Sequence, residues 1–242
     1  MSSPGTQAAM GRVLLICNDS IAIQHVAEAT QQFAIATEVC DDAGMALALL
    51  NRRKFEAIVV DCGLGQAAEI LEQVRLSPSN RTAVTFAITD PQKPPSFPIQ
   101  SNFVMEKPLS VTSVGRTLKA AFGLIVRERR RSFRCPVSIP AAILSDGKEA
   151  RCQVVNISEG GMAISGSPAL SPGGQVKVLF TLPGQRDGFT IESEVCWFDE
   201  KGRAGLRLLL ISSEQKSALQ EWLAAKLEED LPEAVASQFR KK

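Results

Sequence analysis

Apolar residues between positions 12 and 124 follow two alternating patterns. Short continuous apolar runs, typical of strands buried on both faces, alternate with stretches whose apolar residues repeat at helical spacing. The apolar runs are RVLLIC, AIATEVC, EAIVVDC, AVTFAIT and NFVMEK, and the helical stretches are a segment starting near Asp19–Ser20, DAGMALALLNRRK, QAAEILEQVRL and SVTSVGRTLKAAFGLIV. This alternation predicts an α/β domain in which helices cover both faces of a parallel five-stranded sheet.

After Arg134 the apolar residues repeat with a period of two, and turn sequences such as SDGK, SEGG and PGQRDG separate the runs. About six short antiparallel strands at this spacing predict a small closed β-barrel. The alternation places Trp197 beside Val195 in the barrel core. The stretch SSEQKSALQEWLAAKLEE then predicts an amphipathic C-terminal helix with a serine N-cap.

The change of period predicts two domains, at 11–125 and 126–228, followed by a frayed tail at 229–242. A chain of 242 residues is long enough for two domains of ordinary size. Neither proline nor glycine occurs between Leu124 and Cys135, so we expect no flexible linker at the junction.

Charge and cysteine usage exclude several classes of protein. The net charge is +1, although RERRRSFRC, at positions 127–135, holds a dense run of arginines. A general nucleic-acid-binding protein spreads basic residues over a whole face, so we expect no specific nucleic-acid partner. The apolar runs are too short to span a membrane, and the first residues lack the apolar stretch of a signal peptide. The six cysteines form no C-x-x-C pair, which favours reduced core thiols in a cytoplasmic protein.

Catalytic side chains are scarce. His25 is the single histidine, and no nucleophile motif offers it a partner. We therefore expect a protein that is not an enzyme, with neither catalytic residues, a cofactor nor a resident metal.

Three polar residues end successive predicted strands of the first domain. Asp61 closes the third strand, Thr89 closes the fourth, and Lys107 follows the fifth. The carboxyl ends of parallel strands are where α/β sheets gather their functional groups. With this order and spacing, about 115 residues resemble the response-regulator receiver family. The resemblance implies a flavodoxin-like fold in which Asp61 accepts a phosphoryl group, Thr89 is the switch hydroxyl and Lys107 pairs with the acyl phosphate.

The first domain departs from the receiver pattern at its metal site. Cys17 and Asn18 stand where receivers carry the acidic pair that holds Mg²⁺, and Asp19 follows. A thiol and an amide are poor ligands for this hard cation. We therefore expect a degenerate receiver that binds Mg²⁺ only if its pocket is still competent, and that docks an unknown protein partner or a second copy of the chain. The candidate phospho-acceptor pocket consists of Asp19, Asp61, Thr89 and Lys107.

Two motifs flank the start of the predicted barrel. Arg130 and Arg134 form R-x-x-x-R, with Arg129 as an extra basic neighbour, and VVNISEGGMAI contains N-x-S-x-x-G about twenty residues later. Together they resemble the motifs of the PilZ domain, the bacterial receptor module for cyclic di-GMP, over about residues 127 to 225. The resemblance implies a cyclic di-GMP site formed by Arg129, Arg130, Arg134, Asn156, Ser158, Gly160 and Gly161.

The residue types fit a guanine dinucleotide. A guanidinium can donate two hydrogen bonds to guanine O6 and N7, which is worth about 1–3 kcal/mol of base discrimination, or grip a phosphate with two parallel bonds. Asn156 accepts through one carbonyl oxygen where an aspartate would accept both donors of the guanine edge, so we expect weaker affinity than in the aspartate form. Ser158 can donate or accept, and the glycines allow a close approach of the ligand.

These observations predict a non-catalytic signalling effector in which cyclic di-GMP binds the barrel and reorients the degenerate receiver. Three alternatives stay open at this point. The barrel is a protein-interaction module that has lost nucleotide binding, the chain is a phosphorylation-driven response regulator with a PilZ-like output domain, or the basic run binds nucleic acid without specificity.

Overall fold

A computed structural model describes residues 9–145 and 147–229. The predicted tail at 229–242 lies, except for Glu229, outside the described residues. The described chain divides into two compact units, the first ending at Arg129 and the second comprising Arg130–Glu229. No helix in the described ranges is long and apolar enough to cross a membrane.

The first unit is the predicted parallel α/β sheet. Its elements are β1 (Gly11–Ile16), α1 (Ser20–Gln31), β2 (Ile35–Cys40), α2 (Ala43–Arg52), β3 (Ala57–Asp61), α3 (Ala67–Leu76), β4 (Val84–Thr89), β5 (Phe103–Glu106) and α4 (Val111–Ser132). The strands are parallel in the order β2-β1-β3-β4-β5. This is the flavodoxin-like order, so the predicted fold of the first domain is confirmed.

Local sequence explains the helix boundaries of this unit. Asp19 caps α1 by accepting hydrogen bonds from the backbone N–H groups of Ile21 and Ala22, and Asp42 caps α2 through Met45. No helix forms between β4 and β5, where the segment 90–102 is rich in proline. Helix α4 continues to Ser132 through most of the arginine run, because no proline interrupts it.

The second unit is the predicted barrel. Its strands are β6 (Cys135–Ser145), β7 (Lys148–Ile157), β8 (Gly161–Ser165), β9 (Gln175–Thr181), β10 (Gly188–Phe198) and β11 (Arg203–Leu210), and α5 (Ser213–Glu229) follows. They close in the order β10-β11-β8-β7-β6-β9. The hydroxyl of Ser212 accepts from the N–H of Gln215 at the start of α5, and the indole N–H of Trp222 donates to the carbonyl of Pro183 at 3.1 Å.

The prediction that Trp197 lies in the barrel core is wrong. Val195 is buried as expected, but Trp197 is 47% exposed. The register of β10 against β11 shifts between these two residues. A bulge of this kind adds one residue to one strand and turns the following side chains to the opposite face of the sheet. The alternation that holds up to Val195 therefore fails two residues later.

All six cysteines are free thiols. Four of them, at positions 17, 40, 62 and 135, are buried, whereas Cys152 is half-buried and Cys196 is exposed. Their distribution agrees with the assignment of most cysteines to the two cores.

Candidate ligand site on the barrel and the receiver-like pocket

Arg134 and Asn156 meet on the outer face of the barrel. Arg134 directly precedes β6, Asn156 lies near the end of β7, and the Nη1 of Arg134 donates to the Oδ1 of Asn156 at 3.1 Å. Val154 points into the core, so Asn156 would share that face in a regular strand. The register of β7 against β8 shifts between these two residues, and this bulge turns Asn156 outward.

A tight turn holds the rest of the second motif. The backbone N–H of Ser158 and its hydroxyl both donate to the carbonyl of Gly161, at 2.8 and 2.9 Å. Ser158 is buried, so its hydroxyl closes the turn rather than facing solvent. The sequence predicted a ligand-facing hydroxyl, whereas the structure gives Ser158 a supporting position.

Gly161 has no room for a side chain. A Cβ at this position would lie 2.6 Å from the carbonyl oxygen of Leu206 and 3.8 Å from the Nη2 of Arg134. Gly160 is different, because nothing lies within 4 Å of a Cβ added there. The structure thus brings Arg134, Asn156 and Gly161 together, and the missing side chain of Gly161 lets β8 lie close to the backbone of β11 beside the guanidinium.

Arg129 forms an ion pair within the first unit. Its Nη1 lies 3.8 Å from the Oε1 of Glu56, which is buried just before β3. Glu56 also accepts a hydrogen bond from the backbone N–H of Arg12 at 2.6 Å. The neighbouring Glu128 is buried, pairs with Lys54 and accepts from the hydroxyl of Thr82. The C-terminal part of α4 is therefore fixed by two buried carboxylates.

The arginine run is divided among different surroundings. Arg130, which opens the second unit, is half-buried, Arg131 is exposed, and Arg134 is exposed beside Asn156. Sequence reasoning did not identify Glu56 as a partner of Arg129. The one available signal was a charged residue directly before a fully apolar strand, and charges at strand ends are common on protein surfaces.

The receiver-like pocket gathers three of its four predicted residues by direct contact. The Nζ of Lys107 lies 2.8 Å from the Oδ2 of Asp61 and 3.1 Å from the Oδ2 of Asp19. The thiol of Cys17 donates to the same Asp61 oxygen at 3.4 Å. The fourth residue, Thr89, ends the neighbouring strand β4 and accepts the backbone N–H of Lys107 through its carbonyl.

Electrostatics in this pocket oppose metal binding. Burial raises the pKa of Cys17 to about 11, with a further contribution from Asp61, so the thiol is neutral at physiological pH. Hydrogen bonds from Ala22 and Lys107 lower the pKa of Asp19. Burial lowers the pKa of Lys107, but the pairing with Asp61 and Asp19 outweighs it and leaves that pKa above its ordinary value.

A Mg²⁺ ion does not fit this donor set. Both carboxylates already bind the ammonium group of Lys107, and the third group is a protonated thiol rather than a hard oxygen ligand. Within residues 9–145 and 147–229 no group of three or more His, Cys, Asp or Glu side chains could hold a metal.

Comparison with known proteins identifies the barrel. Residues 128–225 match the family model of the PilZ domain. The barrel half of this chain is a PilZ domain. The barrel follows a receiver-like domain. The strand order of its sheet and the pair formed by Asp61 and Lys107 agree with the pattern of the receiver family. No curated protein matches the chain.

Solved structures similar to the chain include representatives of both halves. The inhibitor of motility MotI/DgrA from Bacillus subtilis is 18% identical, over 45% of this chain and 51% of that one, with a TM-score of 0.34. The chain therefore spans about half the length of that protein. The PlzA protein of Borreliella burgdorferi, solved in complex with c-di-GMP, is 17% identical over 47% of each chain, with a TM-score of 0.31. A CheY-like receiver domain protein from Methanospirillum hungatei is 13% identical over 49% of this chain and 98% of that one, with a TM-score of 0.43.

Proposed function

We propose that this protein is a non-catalytic receptor for cyclic di-GMP, and that the ligand binds the outer face of the PilZ barrel at Arg134, Asn156 and Gly161. The observation that carries the proposal is the partner of Arg134. Its exposed guanidinium contacts a neutral amide, and within the described ranges it forms no ion pair with a carboxylate. A cation held in place without a counter-charge favours an anionic ligand.

The chemistry of cyclic di-GMP supports this choice of anion. Its two phosphates and two guanines offer acceptors that match the planar fork of donors on arginine. The amide of Asn156 can accept from the guanine edge. The missing side chain of Gly161 keeps β8 close to β11 at the position of Arg134. Ser158 and Gly160 contribute through the turn, and the half-buried Arg130 adds charge four residues before Arg134.

Arg129 provides the proposed connection to the receiver-like domain. Its ion pair with Glu56 belongs to the first unit. When Arg129 exchanges this carboxylate for a ligand phosphate, the receiver-like domain loses a contact to the end of α4. We propose that this exchange reorients the receiver-like domain, which is the output of the receptor.

Calorimetric titration tests the binding site. Cyclic di-GMP is titrated into the wild type, into Arg134→Ala, and into the matched control Arg131→Ala, which removes an exposed arginine from the same run. We expect saturable binding to the wild type and the control. Removing one partner of a charged contact costs about 2–5 kcal/mol, so we expect the affinity of Arg134→Ala to fall at least about thirtyfold.

Three results would contradict the proposal. Equal affinity of Arg134→Ala and the wild type would contradict the proposed position of the site. Binding of GTP as tightly as cyclic di-GMP would contradict the proposed identity of the ligand. Absence of binding by the wild type up to high micromolar ligand would favour a barrel that docks protein instead.

Distances between spin labels test the reorientation. One label replaces the exposed Glu72 on α3, and the other replaces the exposed Lys201 between β10 and β11, with Cys196 changed to serine to avoid labelling. We expect the distance distribution to change on saturation with cyclic di-GMP. An unchanged distribution would contradict the reorientation and leave the binding proposal intact.

A further inference from the structure

Helix α4 carries a buried carboxylate close to the arginines of the proposed site. Glu128 is 5% exposed, although the helix continues only to Ser132. Two loops hold its Oε1. The ammonium of Lys54, which precedes β3, pairs with this oxygen, and the hydroxyl of Thr82, which precedes β4, donates to it at 2.6 Å. These contacts keep Glu128 in place, because separating them would leave a charge in a poorly solvated position.

The neighbouring pair of Arg129 and Glu56 is easier to exchange. Its charged atoms are 3.8 Å apart, which is long for an ion pair, and the side chain of Arg129 is 27% exposed. A partly exposed pair of this length contributes little to stability. The side chain of Arg129 can therefore change its partner while Glu128 still holds the backbone of α4.

The position of Glu128 sets the rotation of α4 about its own axis. Successive residues of an α-helix are turned by about 100°, so Arg130 leaves the helix on nearly the opposite side from Glu128. Arg134 follows two residues after the helix ends. Because Glu128 is bound by Lys54 and Thr82, the direction in which the arginine motif leaves the helix is set before a ligand arrives.

We propose that Lys54 and Thr82 are positioning residues for cyclic di-GMP binding, which act through Glu128 on Arg130 and Arg134. This inference rests on the proposed function. A site whose binding groups are already ordered loses less conformational freedom when the ligand binds, and this pre-organisation raises affinity. Lys54 and Thr82 thus contribute to affinity without touching the ligand.

Calorimetric titration with cyclic di-GMP tests the positioning role in the full chain. Lys54→Met removes the cation, and Thr82→Val removes the hydroxyl with little change of shape. We expect each variant to bind about three- to tenfold more weakly than the wild type, the range for one long side chain that must be ordered on binding. Lys54→Arg and Thr82→Ser keep the charge and the hydroxyl and should restore most of the affinity. The matched control is Arg53→Met, which removes the adjacent exposed cation and should bind like the wild type.

Two further variants separate positioning from a general loss of stability. Lys107→Met breaks a buried ion pair at the carboxyl end of the same sheet, away from α4's last turns, and should leave the affinity unchanged. In an Arg130→Ala background, Lys54→Met should cost less affinity than in the wild type, because one of the groups that it positions is gone. A general loss of stability would lower the affinity equally in both backgrounds.

The outcomes distinguish this inference from the proposed function. If Lys54→Met loses its fold, as circular dichroism would show, Thr82→Val and its rescue by Thr82→Ser decide the question. Wild-type affinity in the folded variants of Lys54 and Thr82, or an equal loss of affinity in Lys107→Met, would overturn the positioning role alone. No binding by the wild type would overturn the proposed function as well.

Discussion

The receiver-like pocket and the PilZ face each hold a cation beside a polar side chain, but they differ in how its charge is balanced. In the receiver-like pocket the ammonium of Lys107 bridges the carboxylates of Asp61 and Asp19. On the PilZ face the guanidinium of Arg134 contacts the neutral amide of Asn156. The cation of the first site is thus paired with carboxylates of its own domain, whereas among the described residues the cation of the second site has no carboxylate partner. The difference supports our proposal that the ligand binds the barrel and that the pocket has a structural role.

Burial strengthens this contrast. Asp61 is 3% exposed and would lose much of its stabilisation without Lys107, whereas Arg134 is exposed to solvent. A buried ion pair holds its partners in place because separating them leaves a charge in a poorly solvated position. An exposed cation pays little to exchange one contact for another.

Gly161→Ala should remove the PilZ site and weaken its domain. The added Cβ would clash with the carbonyl oxygen of Leu206, so β8 and β11 must move apart. We expect a loss of about 1–3 kcal/mol in the free energy of unfolding, typical of overpacking, together with loss of cyclic di-GMP binding. Gly160→Ala is the matched control, since its Cβ enters open space. Thermal unfolding of both variants measures the effect, and equal stability would show that the turn is not rigid.

Lys107→Met should destabilise the receiver-like domain without changing ligand affinity. The substitution leaves Asp61 buried beside a neutral thiol, although its Oδ1 still accepts from the N–H of Gly63. Lys107 is partly exposed, so we expect a moderate loss of about 1–2 kcal/mol. Arg53→Met, which removes an exposed pair with Glu38, should cost less than about 1 kcal/mol. Denaturant unfolding compares the two, and calorimetry should find the wild-type affinity for cyclic di-GMP in both. Similar stability of both variants would mean that the pocket is as solvated as the surface.

The fold was largely predictable because the apolar residues follow regular patterns over long stretches. The first half alternates strand and helix patterns, and the second half repeats with a period of two. The buried strands β3 and β4 are continuous apolar runs, and their ends place Asp61 and Thr89 at one edge of the sheet. The resemblance to the PilZ motifs placed Arg134 and Asn156 in one predicted site, and the structure brings these two side chains into contact. The strands and the motifs can be recognised from short stretches of sequence.

The features that were missed depend on single inserted residues or on distant partners. A bulge in β10 turned Trp197 outward, and one inserted residue leaves no mark on composition or on the preceding alternation. The pairing of Arg129 with Glu56 joins the end of α4 to the start of β3, and nothing local to either residue predicts it. The burial of Ser158 follows from the turn that its hydroxyl closes onto the carbonyl of Gly161, and the neighbouring sequence does not reveal it.

Glu56→Gln should tighten the binding of cyclic di-GMP. The amide keeps an acceptor for the backbone N–H of Arg12 but no longer attracts Arg129 as an ion. If Arg129 must leave Glu56 to reach the ligand, neutralising Glu56 removes a competing contact. The pair is long, at 3.8 Å, and Arg129 is partly exposed, so we expect about 1 kcal/mol, which corresponds to an affinity gain of about fivefold. Glu38→Gln, in the exposed pair with Arg53, is the control and should leave the affinity unchanged. If Glu56→Gln and the wild type bind cyclic di-GMP with equal affinity, Arg129 does not belong to the proposed site.

Asn156→Asp should raise the affinity for cyclic di-GMP slightly. An aspartate would accept both donors of the guanine edge, which favours binding, but it would also neutralise Arg134, which opposes it. Hydrogen bonds to a charged acceptor are worth about 1.5–3 kcal/mol against about 0.5–1.5 kcal/mol for neutral pairs. Because the exposed Arg134 can turn toward a phosphate while the carboxylate binds the base, we expect the gain to exceed the loss and the affinity to rise about threefold by calorimetry. Weaker binding by Asn156→Asp would instead mean that the free charge of Arg134 matters more than the match to guanine, and that an asparagine at this position preserves it.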